Sequence, residues 1–188
     1  MEALLSSTLA VAIAEIGDKT QLLSLFLVTR FCQPHHRWAI VAGIVMATLV
    51  NHALSAWLGA TVAAYIPAAW LPWIVALSFF AIAVWLLIPD KDGESGAGVL
   101  RYGAFIATTV LFFIAEIGDK TQIATVVLAA KYEATTAVIA GTTLGMLLAN
   151  VPVIMAGGWI MERVPLAWAR RLAFALFLAL GVITLLAG

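Results

Sequence analysis

The chain has 188 residues, of which 64% are hydrophobic and 11% charged, with ten Lys and Arg against ten Asp and Glu. An ordinary soluble domain is roughly 45–50% apolar and about 25% charged, so a soluble enzyme, a nucleic-acid binder and a disordered tail are excluded, and the balanced charge points to no partner. A single cysteine, Cys32, excludes a disulfide framework and a cysteine metal cluster.

What remains is an all-α integral membrane protein. A spanning helix needs about 20 mainly apolar residues, and the long, unalternating apolar runs do not suit barrel strands. The sequence predicts six transmembrane helices over residues 3–29, 38–64, 70–88, 102–130, 135–160 and 166–187. The N-terminal run lacks a basic segment before Lys19 and is read as the first span, not as a cleaved signal. The connections after the first, third and fifth spans, counted with the start of the sixth span, carry Arg30, Arg37, Lys91, Arg101, Arg163, Arg170 and Arg171, against Lys131 alone on the other side. The positive-inside rule places those three loops in the cytoplasm and both termini outside. Trp38, Trp70, Trp73, Trp159 and Trp168 lie near span ends, where interfacial aromatic belts form.

The octapeptide Ala14-Glu15-Ile16-Gly17-Asp18-Lys19-Thr20-Gln21 recurs as Ala115-Glu116-Ile117-Gly118-Asp119-Lys120-Thr121-Gln122, 101 residues later. Weaker echoes follow: Ala42-Gly43 with Ala140-Gly141, Asn51 with Asn150, and Pro67 with Pro165. Residues 1–88 and 102–188 are thus expected to form two three-helix repeats joined by a cytoplasmic linker, 89–101. Three spans per repeat is an odd number, so the second repeat is inverted relative to the first. Many secondary transporters share that arrangement, with the binding site near the bilayer midplane.

Glu15 lies about 18 Å along a helix from Ala3 and so falls near the middle of a hydrocarbon core roughly 30 Å thick. Six charged residues at that depth, three per motif, cost about 2.5–3.5 kcal/mol each if they face lipid, so they are expected to face one another, a cation or a cavity. On a continuous helix Glu15 and Asp18 share a face, as do Glu116 and Asp119, while Lys19 can pair with Glu15. Gly17 and Gly118 mark either a helix break or a close helix contact. Four carboxylates and two lysines leave a net charge of −2, which one divalent cation or two protons neutralise. Crowded carboxylates in low dielectric take up protons, so protons and metal are expected to compete. Gln21, Gln122, Thr20 and Thr121 add oxygen donors, and an all-oxygen set suits Ca²⁺, Mg²⁺ or Mn²⁺. Asn51 and Asn150 are supporting candidates, either as secondary ligands or as interhelical hydrogen-bond formers.

The doubled Glu-x-Gly-Asp-Lys-Thr motif on the first and fourth of six spans resembles the transmembrane protein 165 family, whose members include Golgi manganese/calcium–proton exchangers and bacterial manganese exporters. The resemblance covers essentially the whole chain. It implies divalent cation transport with Glu15, Asp18, Glu116 and Asp119 as the functional acids. It further implies a compact member of a bacterial plasma (inner) membrane that exports Mn²⁺, with Ca²⁺ the alternative ion, against entering protons. No enzyme activity, resident cofactor or nucleic-acid partner is expected, and no oligomer is required. The rival readings are a passive divalent cation channel and, remotely, an intramembrane aspartyl protease. His35, His36 and Cys32 read as loop residues, His52 as a satisfied interhelical contact, and Gly141-x-x-x-Gly145 and Gly157-Gly158 as close helix packing.

Overall fold

The structure is a computed structural model that describes residues 1–88, 97–156 and 166–187. Among these residues the chain is all helix and turn, with no strand. In order, the helices are α1 (Glu2–Ala14), α2 (Lys19–Arg30), α3 (Pro34–Ala64), α4 (Leu71–Leu86), a short 3₁₀ turn (Ala97–Tyr102), α5 (Ala104–Glu116), α6 (Lys120–Lys131), α7 (Thr135–Ala156) and α8 (Leu166–Ala187). Three stretches are long and apolar enough to cross a membrane: Pro34–Ala64, Thr135–Ala156 and Ala167–Ala187. Three shorter apolar helices, α1, α4 and α5, accompany them. The expected first and fourth spans are each a pair of short helices, α1 with α2 and α5 with α6, interrupted at the motif.

Polarity is arranged inside out. Leu54, Trp57, Leu77, Leu148 and Leu186 lie on the outside, while Glu15, Glu116, Asn51, Asn150 and His52 are fully buried. Such a surface suits hydrocarbon, and the interior is where polar groups find partners. Trp38, Trp70, Trp73 and Trp168 stand exposed at or within five residues of helix starts, as an interfacial belt requires. Trp159, Gly157-Gly158 and Arg163 lie outside the described residues, as does most of the expected linker.

Small residues let the helices approach. A Cβ on Gly43 of α3 would stand 2.9 Å from the Phe105 carbonyl oxygen and 2.7 Å from Thr108 Cβ on α5. A Cβ on Gly141 of α7 would stand 2.5 Å from the Leu4 carbonyl oxygen and 2.9 Å from Ser7 Cβ on α1. Gly43 and Gly141 are repeat mates, and Leu4 and Ser7 stand 101 residues before Phe105 and Thr108, the spacing of the two motifs. Each half therefore seats its first helix against the other half, α1 on α7 and α5 on α3. Gly145 makes the same kind of contact, against Thr8 and Ala12 of α1. These packings bury the acids of both motifs, Glu15, Asp18, Glu116 and Asp119, while Ile117 and Gly118 at the second turn stay exposed.

Candidate functional site

Each motif is a helix break built twice from the same parts. α1 ends at Ala14 with Glu15 as its C-cap, Gly17 turns the chain at φ +81°, and Asp18 caps the N-terminus of α2. In the second copy Glu116 is the last residue of α5, Gly118 has φ +76°, and Asp119 caps α6. A positive φ costs a residue with a Cβ about 1–2 kcal/mol and glycine little. The turns close alike, with Asp18 N–H donating to the Glu15 carbonyl and Asp119 N–H to the Glu116 carbonyl, both at 3.1 Å. Gln21 Oε1 accepts from Gly17 N–H at 2.8 Å, and Gln122 Oε1 from Gly118 N–H at 2.6 Å. An N-cap Asp with Gln three residues later, reaching back to the preceding backbone, has the spacing of a capping box. The break thus sets the negative end of one short helix, with its glutamate, beside the positive end of the next, with its aspartate.

The acids are buried and braced. Glu15 accepts a hydrogen bond from Thr20, and the Thr121 hydroxyl of the second motif lies beside it. Glu116 Oε1 accepts from Thr48 at 2.9 Å and its Oε2 from Asn51 Nδ2 at 3.2 Å, both on α3. Asn51 Oδ1 in turn accepts from Gln122 Nε2 at 2.5 Å. On the other side Ser24 donates to Asn150 Oδ1 at 2.8 Å, and Gln21 Nε2 to the Ala149 carbonyl at 2.8 Å. Asp119 Oδ1 accepts from Lys120 N–H at 2.6 Å, an N-cap bond.

The two motifs meet. Lys19 Nζ lies 3.0 Å from Asp119 Oδ2, joining the first copy to the second. Glu116 feels the charge of Glu15, and both feel that of Asp119. Continuous-helix spacing pointed Lys19 at Glu15; its charge does reach Glu15, and it also makes the pair with Asp119. The break reorients the chain after Gly17 and Gly118, so neighbours across it are set by the turn and not by continuous-helix spacing, and Glu116 remains within electrostatic reach of Asp119. Lys120, the mate of Lys19, donates to the Ile88 carbonyl at 2.9 Å. Among the described residues no three His, Cys, Asp or Glu side chains close tightly enough to hold a metal ion. Instead an internal cation, the Lys19 ammonium, rests on one of the acids.

Thr48 and Ser24 are site residues that the repeat concealed, since neither belongs to the doubled octapeptide. Helical spacing would have found Thr48: with Asn51, His52 and Ser55 it forms one buried polar stripe on α3. His52 is not the satisfied contact its position suggested. Both its ring nitrogens are buried without a hydrogen-bond partner among the described residues, and Nε2 stands 3.9 Å from Glu116 Oε2.

Against known proteins, a family model described as "Divalent cation/proton antiporter GDT1" matches residues 3–94 and 104–188. The chain is 50% identical over 186 residues to a Vibrio cholerae protein named "Putative manganese exporter", covering 98% of this chain and 90% of that one. It is 28% identical over 185 residues to the "GDT1-like protein sll0615" of Synechocystis, covering 87% of each. No solved structure matches.

Proposed function

The chain belongs to the GDT1 family of divalent cation/proton antiporters, and on that premise we propose that it exports Mn²⁺ across a bacterial inner membrane in exchange for entering protons. The observation that carries this reading is the meeting of two identical charged helix breaks, their four acids buried and the two copies joined by the Lys19–Asp119 pair. Discontinuous helices with facing ends are how many transporters hold ions at mid-depth, away from lipid. The Vibrio cholerae relative, named for manganese, supports Mn²⁺ over Ca²⁺ as the exported ion.

In this reading residues 1–88 and 102–188 are two inverted three-helix repeats around a two-fold axis in the membrane plane. The reciprocal seating of α1 on α7 and α5 on α3 supports that symmetry. Both termini lie outside, and the first, third and fifth connections, including the linker 89–101, lie in the cytoplasm. Glu15, Asp18, Glu116 and Asp119 supply the carboxylates that bind the ion. Gln21, Gln122, Thr20 and Thr121 hold the breaks and the acids in place, and Asn51 and Asn150 tie them to α3 and α7. Metal enters as Lys19 withdraws from Asp119, and the carboxylates are neutralised in turn by one Mn²⁺ or by two protons. Lipid, metal and protons are then all the partners required.

The test is transport in proteoliposomes. With an acidic lumen and equal Mn²⁺ on both sides, an antiporter accumulates Mn²⁺ inside as protons leave, and collapsing the pH gradient releases it. Flux that only follows the Mn²⁺ gradient, whatever the pH difference, identifies a passive channel and overturns the proposal.

A further inference from the structure

We infer that His52 is a specificity-determining ligand: its ring nitrogen joins Glu116 in holding the transported ion and biases the site toward a transition metal over Ca²⁺ and Mg²⁺. The inference rests on the exporter reading and adds to it a residue outside the doubled motif.

His52 is fully buried on α3, with neither ring nitrogen hydrogen-bonded to any group described. Buried polar atoms in proteins nearly always have partners, so an imidazole with two orphaned nitrogens in an apolar membrane interior calls for an occupant. Its nearest acid defines where that occupant sits. Nε2 stands 3.9 Å from Glu116 Oε2, too far for a hydrogen bond. The gap is what a cation bound to both atoms would span at a wide angle, with bonds of about 2.0–2.2 Å on each side. Thr48, one helical turn before His52, and Glu116 itself place oxygens beside the same gap.

The chemistry follows from the donor types. Ca²⁺ and Mg²⁺ take oxygen ligands almost entirely. An imidazole nitrogen favours first-row transition metals over those two, although Mn²⁺ gains least among them. The motifs are identical in the two halves and offer only oxygen donors, so they carry no such discrimination. The second half has Val151 where the first has His52, and selectivity therefore resides on one side of the pseudo-symmetric site.

The experiment compares wild type with His52→Gln and His52→Val, reconstituted as the full chain, measuring Mn²⁺ uptake in competition with Ca²⁺ and Mg²⁺. Removing the nitrogen is expected to weaken Mn²⁺ about 10–100-fold, the scale of losses at the shell of metal sites, while Ca²⁺ competition changes little. The Mn²⁺/Ca²⁺ preference then falls by about ten-fold or more. An unchanged preference, whether both ions weaken together or neither does, overturns the assignment. Should both variants misfold, electron spin echo spectroscopy of Mn²⁺ bound to the wild-type protein reads the same point directly. Nitrogen modulation from a coordinated imidazole supports it, and its absence refutes it. Wild-type protein that neither binds nor moves Mn²⁺ sinks the exporter reading along with His52. Normal Mn²⁺ exchange with unaltered preference in the variants sinks His52 alone.

Discussion

Replacing Gly118 with alanine isolates the cost of the helix break from every other effect. The residue sits at φ +76°, and a Cβ built there meets nothing within 4 Å. The substitution therefore adds no clash and removes no side chain, leaving only the penalty of holding an L-residue in left-handed backbone, about 1–2 kcal/mol. A penalty of that size is a factor of roughly 5–30 between the broken and continuous forms of the α5–α6 junction. In a chain of this length it is expected to lower the thermal midpoint in detergent by roughly 2–8 °C. A continuous helix would carry Asp119 and Lys120 round to a different face, so Mn²⁺ flux should fall along with stability. Asparagine tolerates left-handed backbone better than alanine, so Gly118→Asn should recover part of both losses. Alanine that matches wild type in midpoint and flux, or asparagine that performs worse than alanine, would refute the claim that this turn is what glycine is there for.

Glu116→Gln keeps acceptors or rotatable partners for Thr48 and Asn51, so it should insert and melt like wild type yet lose nearly all transport, measured as Mn²⁺ flux per inserted protein. Glu116→Ala leaves both donors buried without an acceptor, at about 1–3 kcal/mol each, and should lower the melting midpoint as well; equal midpoints for the two variants would count against the bracing role. Lys19→Met and Asp119→Asn should each destabilise more than the pair combined, with a coupling of about 0.5–3 kcal/mol in a double-mutant cycle of unfolding. Zero coupling would mean that the 3.0 Å contact contributes nothing. Gly141→Ala drives a Cβ toward the Leu4 carbonyl oxygen at 2.5 Å, an overpacking expected to cost about 1–3 kcal/mol, seen as lower folded yield; wild-type yield would show that α1 and α7 adjust freely.

Much of the architecture was legible before any coordinates. Composition implied membrane helices, and the octapeptide repeat located both charged clusters. Glycine spacing anticipated close helix packing at Gly141 and Gly145, though not that α1 is the helix packed there. The break itself was an open choice, because a lone glycine suits a break and a close contact equally well. The deciding signal was present in Asp18-Lys19-Thr20-Gln21 and its copy, where an N-cap residue and a glutamine at capping-box spacing announce a new helix start. Once the helix restarts, side-chain direction can no longer be extrapolated through it, which is why Lys19, whose charge still reaches Glu15, also pairs with Asp119 of the other motif. Thr48 and Ser24 were hidden, and His52 misread, for a different reason. Searching by internal repetition selects what the halves share identically, whereas Thr48 and His52 have apolar mates and Ser24 is matched only by the hydroxyl of Thr125. Their roles depend on which helices pack together, a long-range fact that local spacing does not encode.

The competition between one metal ion and two protons is read most directly from the protons that metal displaces. Purified protein in weak buffer near neutral pH is titrated with Mn²⁺ while released H⁺ is followed with a pH indicator. Release approaching two protons per bound Mn²⁺ in the wild type, and fewer in Glu15→Gln, is the expected result. Tight Mn²⁺ binding with no proton release across pH 6 to 8 would contradict the exchange.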